Sequence, residues 1–78
     1  MSSVSEQLEA CLAPYLGPNT ARNAVRVFAR RALRKSPEEV TPEEAALLVE
    51  AFRPMLRTLV GERRGEQLLL ELRDQLHP

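Results

Sequence analysis

The sequence predicts an all-α protein, arranged as a compact four-helix bundle or orthogonal array with proline-kinked first and third helices. Three observations lead there. Apolar residues recur at three- and four-residue spacing along nearly the whole chain. No segment alternates β-branched or aromatic residues with polar ones, as a half-buried strand would. Ser, Thr, Pro and Gly stand where helices start and stop, with only short connections between. With 78 residues, 44% hydrophobic and 28% charged, residues 1–78 read as a single domain. A domain of this size buries only about 60% of the surface it exposes when unfolded, so its stability margin is thin.

The first helix opens on Ser3-Val4-Ser5-Glu6, a capping-box pattern in which Ser3 accepts an early backbone N–H and Glu6 reaches back. Val4, Leu8, Cys11, Leu12, Tyr15 and Leu16 form its apolar face. Pro14 is expected to kink or stop it, because its ring and missing N–H break the ladder. Gly17-Pro18 then closes it, the glycine taking a left-handed position. The second helix starts over Pro18 to Thr20, with Asn19 as cap, and runs to about Lys35. Ala21, Ala24, Val25, Phe28 and Ala32 make its stripe, widened by Ala29 and Leu33.

Next, Ser36-Pro37-Glu38-Glu39-Val40 and Thr41-Pro42-Glu43-Glu44-Ala45 repeat one start signal: a cap, a first-turn proline, then acids at the positive end of the dipole. Proline at both positions forbids one smooth helix. The expectation is a single turn from Pro37, a reset at Thr41, and a third helix from Pro42 to Val60. Its inward stripe is Ala45, Leu48, Val49, Phe52, Met55, Leu56, Leu59 and Val60, with a kink at Pro54 that frees the Glu50 carbonyl. Gly61 ends it. The fourth helix covers Glu62 to Leu76, with Leu69, Leu72 and Leu76 inward and Leu68 beside them. Gly65 either admits a neighbouring helix or weakens the first turn.

This inventory argues against catalysis. The chain has one His (His77), one Cys, one Tyr and no Trp. A zinc site needs about four close ligands, and no such set exists. Any Ser-His-Asp or Cys-His unit would depend on His77, at a terminus expected to fray. Gly17, Gly61 and Gly65 are scattered and build no phosphate loop. The acid pairs Glu38-Glu39 and Glu43-Glu44 sit where helix starts favour them. No enzymatic activity, cofactor, metal or small-molecule substrate is expected. The longest apolar run, 45–49, falls far short of the roughly 18 residues that cross a bilayer. With no visible secretory leader and a lone Cys11, a cytoplasmic protein is expected.

The strongest functional signal is charge placement. Acids and bases balance at 11 each, yet residues 18–37 carry six cations and no acid, and residues 38–52 carry five acids and no cation. Arg22, Arg26, Arg30 and Arg34 stand four apart and form one ridge away from Phe28. Like charges at that spacing cost an isolated helix about 0.2–0.5 kcal/mol per pair, so negative charge must come from outside the helix. Three sources are open. Glu6, Glu9 and the acids of 38–50 can make a self-compensated surface. An acidic protein partner, including a second copy, can supply it. Nucleic acid can supply phosphates, although an acidic segment this dense and the lack of aromatic platforms disfavour it.

A second signal is surplus apolar surface. Leu47, Ala51, Pro54 and Thr58 lie opposite the main stripe of helix three, and Val27 and Leu70 also point away from theirs. The first expectation is that helix three is central and buried on every side. The second is that these residues form a self-association patch. Cys11 and Met55 read as core, and Tyr15 as a packed ring with its hydroxyl at the edge.

The stretch Tyr15-Leu16-Gly17-Pro18, continued by Ala21, Val25, Arg26 and Ala29, resembles a motif in small helical modules appended to bacterial Ser/Thr kinases and other signalling proteins. From Ser36 onward the chain departs from that pattern. The resemblance implies an accessory or docking role and gives no residue a chemical task. The expected function is therefore a protein-binding, self-associating helical module of bacterial regulation, working as a homodimer. The alternative is a nucleic-acid-associated regulator that uses the arginine ridge.

Overall fold

The computed structural model describes residues 3–76, which form five helices with no strand among the described residues. These are α1 (Val4–Leu16), α2 (Pro18–Phe28), α3 (Pro42–Ala51), α4 (Arg53–Val60) and α5 (Glu62–Leu76). A π turn over Ala29–Leu33 extends α2, and a 3-10 turn over Pro37–Glu39 precedes α3. Met1, Ser2, His77 and Pro78 lie outside the described residues, and with them the expectation of a fraying His77. No helix among the described residues is long and apolar enough to cross a membrane.

The all-α class holds, but the expected count of four helices does not, because the third is divided. The Phe52 N–H still bonds the carbonyls of Leu48 (3.2 Å) and Val49 (3.1 Å), and its own carbonyl accepts from Leu56 (2.9 Å). Between these bonds the Phe52 backbone stays in the right-handed helical region, at φ −71°, ψ −16°, where α3 ends and α4 begins. Pro54 becomes a first-turn residue of α4, where no intrahelical donor is needed, rather than the kink of one long helix. The inward stripe holds except at one position. Burial runs on through Phe52 and Leu56 and, in part, Met55 and Val60, while Leu59, expected inside, is 52% exposed. Nor does Pro14 stop its helix, since α1 continues to Leu16. The Ala10 carbonyl, deprived of a donor there, belongs to an exposed residue that water can reach.

The second helix also departs from a simple α register. Its π turn closes i→i+5 bonds, so each turn takes an extra residue. Leu33, five residues after Phe28, packs against the core, and Ala32, expected on the stripe, is exposed. The segment ends at Arg34, which adopts the left-handed conformation at φ 56°. Its N–H bonds the Arg30 carbonyl at 3.0 Å, and the Lys35 N–H reaches back to Ala29 at 3.4 Å.

Both expected start signals operate. The Glu44 N–H donates to Thr41 Oγ1 (3.2 Å) while the Thr41 N–H donates to Glu44 Oε1 (3.1 Å), a reciprocal box over the start of α3. Ser3 and Glu6 make the same exchange at α1. At the 3-10 turn, Glu39 accepts from the Ser36 N–H (3.1 Å) and hydroxyl (2.9 Å). Thr41→Ala should lower stability by about 1 kcal/mol. Ser36→Ala should cost less, because the short turn it caps delivers only Val40 to the core. Urea titrations of both variants would rank them, and the reverse order would put the main start at Pro37.

The core unites Leu8 and Leu12 of α1, Val25 and Ala29 of the second helix, Leu48, Val49, Phe52 and Leu56, and Leu68, Leu69 and Leu72 of α5. α1 packs on α2, α4 on α5, and α3 against α5 and the π turn. Gly17 (φ 88°) and Gly61 (φ 93°) are one-residue links between successive helices, in a backbone region L side chains rarely enter. Gly65 is buried against α4: a Cβ there would stand 3.3 Å from the Leu56 carbonyl carbon and 3.4 Å from the Arg57 nitrogen. Close helix approach, not a weakened first turn, is its role.

Candidate functional site

Arg22, Arg26, Arg30 and Arg34 are all exposed, as is Arg31 between them. Among the described residues none of them has a carboxylate within 4.0 Å. Arg26 instead donates to the Asn23 side-chain oxygen at 2.8 Å. The ridge divides in two. Arg22 and Arg26 share a cleft of about 330 Å³ with Glu6, Glu9 and Glu38, so acids lie near enough to offset their charge at longer range. Arg30, Arg31 and Arg34 do not line that cleft. The acids expected from the sequence to offset the ridge thus share a cleft with its first half.

Elsewhere the charges pair closely. Lys35 Nζ lies 2.6 Å from Glu44 Oε2 and ties the end of the second helix to the start of α3. That ammonium, followed by the Thr41 N–H, holds the Glu44 carboxyl below its ordinary range. Glu50 meets Arg73 at 2.7 Å and Arg53 at 3.1 Å, and Arg53 also binds Glu66. The Glu50 carboxyl is lowered as well, first by Arg73. These pairs form a seam that stitches α3 and α4 to α5. The groups are solvent-accessible, so the seam fixes helix placement more than it adds stability.

The residues expected opposite the main stripe of helix three do face outward. Leu47 is 64% exposed, Pro54 and Thr58 are exposed, and Ala51 is half-buried. This overturns the expectation that helix three is buried on all sides: α5 and the π turn cover it, and its outer face has no neighbour. The Thr58 hydroxyl donates to the Pro54 carbonyl at 3.1 Å, so it is already engaged within its own helix. Leu70, at 60% exposed, shares the outer side of α5 with the seam residues Glu66 and Arg73, at i−4 and i+3. Val27, 40% exposed, stands on the outer side of α2.

Sequence reasoning put Leu47, Val27 and Leu70 on the side away from each main stripe but missed their charged surroundings. Glu43, one turn before Leu47, is exposed and pairs with no cation among the described residues. Four-residue spacing alone could have shown it.

The remaining chemistry-bearing groups are quiet. Cys11 is half-buried at the core edge rather than inside it. Burial, and secondarily the Glu71 carboxylate, push its thiol pKa up, which suppresses the reactive thiolate. Tyr15 donates to Glu71 at 3.2 Å, an α1–α5 clasp that raises the phenol pKa. No group of three His, Cys, Asp or Glu among the described residues could hold a metal ion. No protein-family model matches the chain, and no curated protein or solved structure matches it.

Proposed function

We propose that the chain is a non-enzymatic helical docking module of bacterial cytoplasmic regulation or signalling. It pairs with a second copy of itself through the outer face of α3 and α4, formed by Leu47, Ala51, Pro54 and Thr58. The observation that carries this reading is Leu47, a large apolar side chain left 64% exposed on a helix whose opposite face is packed in the core. Pairing there adds apolar burial to a domain too small to bury much alone. The bacterial signalling setting rests on the resemblance over Tyr15–Ala29. Leu47→Glu should shift a dimer to monomer in sedimentation velocity while leaving the far-ultraviolet helical signal intact. A wild type that is already monomeric, with a Leu47→Glu variant that unfolds, would make Leu47 a core residue and end this proposal.

A second reading, a nucleic-acid-associated regulator, is favoured by one observation: the ridge arginines have no close carboxylate among the described residues. A phosphate-binding ridge would lose affinity steeply with added salt, whereas a predominantly apolar protein interface would respond weakly.

A further inference from the structure

Two exposed faces of this molecule are complementary in charge. On α3, Leu47 is preceded one turn earlier by Glu43 and followed by Glu50, so an apolar residue stands between carboxylates. On the second helix, Val27 is followed one turn later by Arg30 and Arg31, so an exposed apolar residue stands beside guanidinium groups. Glu50 is engaged by Arg53 and Arg73, but Glu43, Arg30 and Arg31 have no ion-pair partner among the described residues. Within one copy the two faces belong to different helices, and both point to solvent. They cannot meet.

They can meet in a second copy. The two helices are neighbours in the fold, because the π turn packs on α3 and Lys35 bonds Glu44. Each copy therefore carries a cationic face and an anionic face on two adjoining helices. A two-fold axis between them brings each cationic face onto the partner's anionic face, making the same contact twice. We propose that the module dimerises reciprocally in this way. The second helix of one copy, through Val27, Arg30 and Arg31, docks on the α3 face of the other, through Glu43 and Leu47. The apolar pair supplies burial and the flanking charges set orientation and exclude a like-with-like pairing of α3 on α3. This inference rests on the self-association proposed above and identifies the opposing surface. It also accounts for the segregation of charge in a chain of zero net charge.

Charge exchange tests it. One variant carries Arg30→Glu and Arg31→Glu; the other carries Glu43→Arg. Each should retain the helical circular dichroism of the wild type, since the altered side chains are exposed. Each alone should dimerise about tenfold more weakly or worse, because like charges then face each other. Mixed together, the two should form a one-to-one heterodimer in native mass spectrometry. In that pair one contact sets the unaltered Arg30 and Arg31 against the unaltered Glu43. The other sets the two introduced acids against the introduced guanidinium, so charge is complementary at both. Wild-type dimer affinity in both variants would overturn the reciprocal contact and leave pairing through Leu47 standing. A wild type that stays monomeric at every concentration would overturn both. A dimer indifferent to the Arg30→Glu and Arg31→Glu changes, with duplex DNA binding abolished by them, would assign the arginines to nucleic acid and overturn the contact as well.

Discussion

Phe52→Ala should lower the free energy of unfolding by about 3–5 kcal/mol. For a chain of 78 residues that is a large share of a total of roughly 4–12 kcal/mol, so much of the variant should be unfolded at ordinary temperature. Phe52 is fully buried and lies at the junction of α3 and α4. Its ring meets Phe28 edge-on, with centroids 5.2 Å apart and planes at 80°. Truncation leaves a cavity between helices that cannot collapse without moving the junction itself. Phe28→Ala should cost less, because Phe28 is only half-buried and water can occupy part of the space it leaves. Guanidinium titrations of both variants followed by circular dichroism would give the order. Equal, wild-type-like midpoints would mean that the inner faces are assigned wrongly.

Gly65→Val should be the second most damaging single change, at about 1–3 kcal/mol or more. The new side chain would be directed at backbone atoms of Leu56 and Arg57, which stand 3.3–3.4 Å from a Cβ at this position. Backbone in a packed helix cannot swing aside as a flexible side chain can, so α4 would have to move off α5. The Arg53–Glu66 and Arg57–Glu62 pairs, which join the same two helices, would be strained in turn. Gly65→Ala is the informative control. It gains about 1 kcal/mol of helix propensity and asks for a shift of only tenths of an ångström, so its net effect should be small. Thermal melts that show Gly65→Val as stable as Gly65→Ala would mean that the α4–α5 approach is not tight.

The parts of the fold set by local chemistry were legible in the sequence. Ser3, Thr41, Pro37 and Pro42 mark helix starts because their side chains or missing donors act within one turn. Gly17 and Gly61 mark ends because their backbone angles exclude other residues. What was not legible depends on competition between neighbours. Pro54, expected to kink one long helix, instead stands in the first turn of α4, a choice its own residue type does not make. The π turn could not be seen in residues 29–33, whose pattern fits an ordinary helix equally well. Leu33 packs against the core as expected, and only Ala32 turns outward. The candidate surface divided in the same way. That Leu47 faces away from Leu48 and Phe52 follows from helical geometry alone. Whether a neighbour covers it depends on where α5 and the π turn come to rest, which no local rule gives.

Sedimentation equilibrium of the wild-type chain over a wide concentration range tests the self-associating module most directly. A monomer–dimer equilibrium should appear, with Leu47→Glu displaced toward monomer under the same conditions and its helix content unchanged. A single monomeric mass at every concentration, identical in the wild type and in Leu47→Glu, would contradict it.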